Sequence, residues 1–181
     1  MKTIPNSEFV LRRIAADDWP LWRAVRLNAL AEAPHAFGST LASWTGVGDQ
    51  EERWRQRLVA VPLNIVAFLN DSAVGMVSGT ALDQSGTVEL ISMWVAPSVR
   101  GSGVADALVK TVVDWARRQS AVRVTADVID GNEPAARLYG RHGFVATCAV
   151  TCGDSEPRPA RRMVHELSKI LEPAAFIATL N

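Results

Sequence analysis

An α+β fold is what the sequence predicts, and three observations carry that reading. Three short apolar segments separated by tight turn signals follow one another in the middle of the chain. A strongly amphipathic helix comes soon after them. The size is right as well: 181 residues, 48% hydrophobic and 21% charged, suit one domain over residues 1–181 with an ordinary buried core.

Taken in order, Phe9 to Ile14 has the composition of an opening strand. Asp17 or Asp18 then caps a first helix beginning at Trp19-Pro20. Apolar faces along that helix are interrupted by Arg23 and Arg26, and it ends at Ala33-Pro34. His35 to Gly48 is a loop of small residues carrying Phe37, Ser39, Thr40 and Trp44. Asp49 to Val61 places Trp54, Leu58 and Val61 at helical spacing.

Strands are then expected over Asn64–Leu69, Ala73–Leu82 and Thr87–Val95, with turns at Asn70-Asp71 and Asp83–Gly86. Such short connections make neighbours antiparallel. Gly103 to Arg118 gathers Val104, Leu108, Val109, Val112 and Trp115 on one helical stripe. A strand over Val122–Ile129, a short helix over Asn132–His142 and a strand over Phe144–Thr151 follow. A loop over Gly153–Pro159 and a last strand over Arg161–Leu167 complete the pattern. The tail from Glu172 to Asn181 is apolar enough to pack on its own domain or on a partner.

Nineteen basic and nineteen acidic residues leave no net charge, so no nucleic-acid or anionic-membrane partner is expected and any anion site must be local. The first residues carry no apolar run, no window approaches a membrane span, and a cytoplasmic protein is the expectation. Cys148 and Cys152, four apart in an extended segment, would sit roughly 13 Å apart, too far for a disulfide without a turn. No metal site is expected, because His142 and His165 have no close ligand spacing with them.

Arg100-Gly101-Ser102-Gly103-Val104-Ala105 joins the third strand to the strongest helix. Glycine lets a ligand approach the main chain, and the helix start offers unpaired N–H groups and the positive end of the helix dipole, a combination that binds phosphate. A Walker loop is excluded, since Val104-Ala105 follows Gly103 where Lys-Ser/Thr is required. A dinucleotide fingerprint lacks its third glycine, Asp106 standing there, and lacks the βαβ setting.

Thirty residues on stands Asn132-Glu133-Pro134-Ala135-Ala136-Arg137-Leu138-Tyr139-Gly140-Arg141-His142-Gly143-Phe144. Arg-x-x-Gly-x-Ala opening a helix, followed by Asn-x-x-Ala-x-x-Leu-Tyr-x-x-x-Gly-Phe, resembles the GNAT superfamily of N-acetyltransferases, specifically so from Val88 to Phe144. The resemblance implies a mixed, mostly antiparallel sheet of six to seven strands flanked by helices, with a splayed parallel pair at the cofactor site.

It also implies acetyl-CoA as donor. The main chain of Met93, Trp94 and Val95 would bond the pantetheine arm, and the N–H groups from Gly101 through Ser102, Gly103, Val104 and Ala105 to Asp106 would hold the pyrophosphate. Arg100 stands at the first motif position, and Asn132 would reach the cofactor arm as well as cap its helix. Tyr139, the only tyrosine, would be the acid toward the departing sulfur, and Glu89 the base toward the amine. Glu89 lies roughly 13 Å along the strand from Met93 and would act through the substrate's reach or a water.

Phe37, Ser39, Thr40 and Trp44 are expected to wall the acceptor cleft. Neither an acidic cluster suited to polyamines nor a basic cleft suited to phosphorylated acceptors is visible. The expected function is acetyl transfer to a primary amine of a small molecule or peptide by direct attack, with a homodimer compatible with the class. A non-catalytic acyl-CoA-binding module and a protein N-terminal or lysine acetyltransferase are the alternatives.

Overall fold

The computed structural model describes residues 9–153 and 157–167; the expected packing of the tail lies outside the described residues. The elements are β1 (Val10–Arg13), α1 (Trp19–Glu32), α2 (Glu51–Ala60), β2 (Leu63–Leu69), β3 (Ser72–Gly79), β4 (Thr87–Val95), α3 (Val104–Arg118), β5 (Arg123–Ile129), α4 (Glu133–Arg141), β6 (Val145–Cys152) and β7 (Arg158–Glu166). Among the described residues the strands form one seven-stranded sheet ordered β1-β2-β3-β4-β5-β7-β6, antiparallel except where β4 meets β5. Among the described residues no helix is long and apolar enough to cross a membrane.

Local chemistry explains most boundaries. Asn70 and Asp71 both take positive φ, as a two-residue hairpin between β2 and β3 requires, and Asn and Asp tolerate it best after glycine. β3 stops at Gly79 rather than reaching Leu82, because the Asp83 carboxylate gathers the N–H groups of Ser85 and Thr87, each at 2.8 Å, into a turn. Asp18 stands before α1, but its carboxylate turns back to accept from the Ala15 N–H at 3.0 Å rather than capping the helix. β7 begins at Arg158, earlier than the expected Arg161. Pro159 is tolerated there because pairing with β5 ends at Ala160, so no partner on that side needs its missing N–H.

The sheet separates two cores. On one face α3 packs Leu108, Val109, Val112 and Trp115 against Val77, Val88, Leu90 and Val124. On the other, Trp22, Ala29 and Leu30 of α1 and Trp54 and Leu58 of α2 cover Val66, Met76 and Trp94. Leu108 and Trp54 are fully buried, and such side chains each contribute roughly 1.5–3 kcal/mol by leaving water.

β4 changes sides within its own length. Met76 pairs with Trp94 and Ser78 with Ile91, so β4 carries one extra residue, and Ser92 there has φ +56°. Alternation would put Trp94 on the face of Val88 and Leu90; the bulge moves it to the opposite core.

Candidate active site

β4 and β5 pair at Thr87–Arg123, Val88–Val124 and Glu89–Thr125 and nowhere further. Beyond Glu89 the β5-facing edge of β4 has no partner strand. A cleft of about 420 Å³ opens there, lined by Glu89 to Met93 on one side, by Asp127, Val128, Asn132, Ala135 and Tyr139 on another, and roofed by residues of α1, α2 and the loop between them.

The roof loop is fastened by arginines. Asp49 accepts from Arg23 Nε at 2.6 Å and from Trp54 Nε1 at 2.9 Å, which ties the loop's end to α1 and α2 and lowers the Asp49 carboxyl to about 2. Arg53 donates to the carbonyls of Ser43 and Gly48, and Arg158 of β7 to those of Pro34 and Phe37. Phe37, Ser39 and Trp44 line the cleft. Thr40 does not: its hydroxyl accepts from the Ser43 N–H at 3.2 Å and closes a helical turn instead.

Two carboxylates share the β4–β5 side of the cleft but differ in company. Asp127 is clamped by Arg162 of β7 through two bonds of 2.8 Å. Glu89 has no such clamp among the described residues. Burial, and then the charge of Asp127, raise its carboxyl above the ordinary range, which makes its carboxylate a better proton acceptor than an exposed one. Cys152 lies alongside with its thiol pushed up to about 11, first by burial and then by Asp127, so it stays protonated. His142 and His165 do not line the cleft. His142 pairs with Asp106 at 2.9 Å, and His165 stacks on Phe144 with ring centroids 5.4 Å apart.

Tyr139 serves packing and cleft together. Its ring lies against Phe144, centroids 5.5 Å apart, and burial raises its hydroxyl further, so it remains a proton donor at any physiological pH. Asn132 likewise does two things: its Oδ1 accepts from the Ala135 N–H at 3.3 Å to cap α4, while the residue also lines the cleft.

The glycine loop lies outside the cleft lining. Gly101 and Gly103 have φ of +83° and +90°, and a Cβ on either would meet nothing within 4 Å, so glycine is required there by backbone angle and the surroundings are open. The amides of Val104, Ala105 and Asp106 begin α3 and have no intrahelical acceptor. Ser102 is different, since its N–H and its hydroxyl both donate to the Val99 carbonyl, at 3.2 and 2.6 Å. Side chains of the loop turn to neighbours: Arg100 to Glu32 at 2.8 Å and to the Val95 carbonyl, Asp106 to Arg141 at 2.7 Å. Trp94 also donates to Glu32, at 2.9 Å.

Sequence reasoning missed two residues altogether. Arg26 of α1 and Arg57 of α2 both line the cleft, one 7% exposed and the other half-buried by neighbouring side chains, and neither has a carboxylate partner among the described residues. A basic wall is therefore present.

This arrangement, a parallel strand pair that parts beside a glycine loop at a helix start, is that of an acyl-CoA-dependent transferase fold. Residues 25–144 match the model of the acetyltransferase (GNAT) family, well over half of the chain, and the chain belongs to that family. It is 30% identical over 132 residues to mycothiol acetyltransferase of Brachybacterium faecium, covering 70% of this chain and 38% of that protein. It is 34% identical over 79 residues to N-acetylaspartate synthetase of Rattus norvegicus, covering 44% of this chain and 26% of that protein. The chain thus spans well under half the length of these curated relatives. Among solved structures, yncA of Salmonella typhimurium, which holds its cofactor acetyl-CoA, superposes with a TM-score of 0.70 at 20% identity, covering 93% of this chain and 99% of that one.

Proposed function

We propose that this protein transfers the acetyl group of acetyl-CoA to a primary amine by direct attack of the amine on the thioester. The observation that carries the reading is the parting of β4 from β5 after Glu89, which leaves an unpaired strand edge with Glu89 and Tyr139 lining the same opening. The residues suit such a donor. The free edge around Met93, Trp94 and Val95 can bond an extended pantetheine arm, Asn132 has amide N–H groups to spare, and the amides that begin α3, beside the open surroundings of Gly101 and Gly103, suit a pyrophosphate. When bound, acetyl-CoA supplies an activated acyl carbon.

The protein's own part is proton management and positioning. Glu89 takes the proton from the acceptor ammonium, directly or through one water, so that a neutral amine attacks the acyl carbon. Backbone N–H groups near the Ile91–Trp94 bulge donate to the oxyanion that develops, an interaction worth roughly 10²–10³ in rate for one well-placed donor. Tyr139 passes its hydroxyl proton to the sulfur as the C–S bond breaks, and the second proton, lost from the amine nitrogen as the amide forms, returns to the tyrosine through water. Relay through an acetylated Cys152 is not favoured, because a thiol held near 11 is almost wholly protonated at neutral pH.

Thiol release from acetyl-CoA, measured over a panel of amines, amino acids, aminoglycosides and peptides, tests the proposal. Turnover with at least one amine is expected. CoA binding without release on any member would refute catalysis and leave a binding module.

A further inference from the structure

Resting on that reading, we propose that the acceptor carries a carboxylate beside its amine, as an amino acid does, and that Arg26 and Arg57 hold the carboxylate while Glu89 receives the amine's proton.

Two cations of the cleft wall, Arg26 buried and Arg57 half-buried, have no carboxylate partner among the described residues. Arg26 lies against the Phe37 ring, 4.5 Å from its centroid, and its Nη1 is shielded from water with no hydrogen-bond partner among the described residues. Arg57 lies 5.5 Å from the Trp22 ring centroid and among the described residues reaches neutral groups: Asn64 Oδ1 at 3.2 Å, Ser78 Oγ at 3.3 Å and Ser92 Oγ at 3.2 Å. The charge that bears on Arg26 from nearby is that of Arg57, of the same sign. Arg23, Arg55, Arg141 and Arg162 each take a carboxylate, and Arg53 and Arg158 take main-chain carbonyls of the roof loop, whereas Arg26 takes neither among the described residues.

Burying unpaired like charges costs stability and is tolerated where function requires it. An anion from outside would complete the pair, and a planar carboxylate matches the guanidinium fork. The cleft is polarised along the sheet. Arg57 reaches over β2, β3 and β4, whereas Glu89 and Asp127 lie on the β4–β5 side beside Arg162 of β7. A zwitterion fits this polarity end to end, and an amine without an anion leaves the arginines as they are. Ser92, at the bulge, joins the arginine wall to the reacting strand.

The test compares kcat/KM for thiol release on each free amino acid, on its carboxamide, on the matching decarboxylated amine, and on phosphoethanolamine. A free amino acid should exceed its carboxamide by about tenfold to a hundredfold, the range of a charge-assisted bond lost. In Arg26→Met that ratio should fall toward one, and Arg57→Gln should do the same if Arg26→Met folds poorly. Without substrate, Arg26→Met should melt a few degrees higher, about what removal of an unpaired buried charge gives, whereas an arginine with a purely structural role would lower the midpoint. Equal use of amino acid and carboxamide overturns the inference while leaving acetyl transfer intact. So does preference for phosphoethanolamine over every amino acid, or a loss in Arg26→Met that is the same for both members of a pair. Absence of release from every amine overturns the inference together with the function it rests on.

Discussion

The glycine loop at the start of α3 and the cleft beneath α1 and α2 are built from opposite materials. In the loop, Gly101 and Gly103 to Asp106 offer backbone N–H groups, while the side chains of Arg100, Ser102 and Asp106 are committed to Glu32, Val99 and Arg141. In the cleft the chemistry belongs to side chains brought from α1, α2, β4, β5 and α4, and little of it is adjacent in sequence. A main-chain site can hold the same donor through great sequence change, provided its glycines keep their angles. A side-chain site can change its acceptor by a few substitutions on a constant frame.

Substitutions should separate the two regions sharply. The largest effect belongs to the cleft: Glu89→Gln should lower kcat by roughly 10²–10⁴ with CoA affinity nearly unchanged, measured by thiol release and calorimetry. The same residue sets a pH test. Because burial and Asp127 raise the Glu89 carboxyl, and the base must be ionised, kcat should fall as pH drops through a value above 4.5. Asp127→Asn removes a charge that raises Glu89, so the acid limb should move to lower pH; an unmoved limb would exclude Glu89 as its source.

Next in size, Tyr139→Phe should reduce kcat about 10²-fold, again with little change in CoA binding. No limb from this hydroxyl should appear below pH 10, since burial raises it. In the loop, Gly103→Val should strain a residue at φ +90°, cost about 1–3 kcal/mol in urea unfolding, and weaken CoA binding more than it alters the rate of the bound complex. The smallest effect is Ser102→Ala, whose hydroxyl serves Val99; CoA affinity should change by less than about twofold, and a large loss would mean that the loop binds through side chains after all.

The loop was legible in the sequence because its signal is contiguous and depends on one residue type with unique backbone freedom. Tight turns such as Asn70-Asp71 were legible for the same reason. The cleft was not. Arg26 interrupts the apolar faces of the first helix and carries no site signal in the sequence; it is buried with its guanidinium against the Phe37 ring of the loop over α1. Asp127 and Arg162 become a pair through the β5–β7 register across 35 positions of chain. The bulge at Ser92 has no sequence mark, since Thr87 to Val95 alternates well enough for a regular strand, and it decides which core Trp94 enters. Thr40 looked like a cleft residue because nothing in the sequence reveals that the Ser43 N–H claims its hydroxyl.

The central claim is that the donor lies along the open edge of β4 with its pyrophosphate on the start of α3, and amide hydrogen exchange tests it most directly. On adding acetyl-CoA, protection should rise for amides of the Ile91–Val95 segment, for Gly101 and for Gly103 to Asp106, while β1 and β6 remain as before. Saturable binding that leaves both of those segments unprotected would contradict the account.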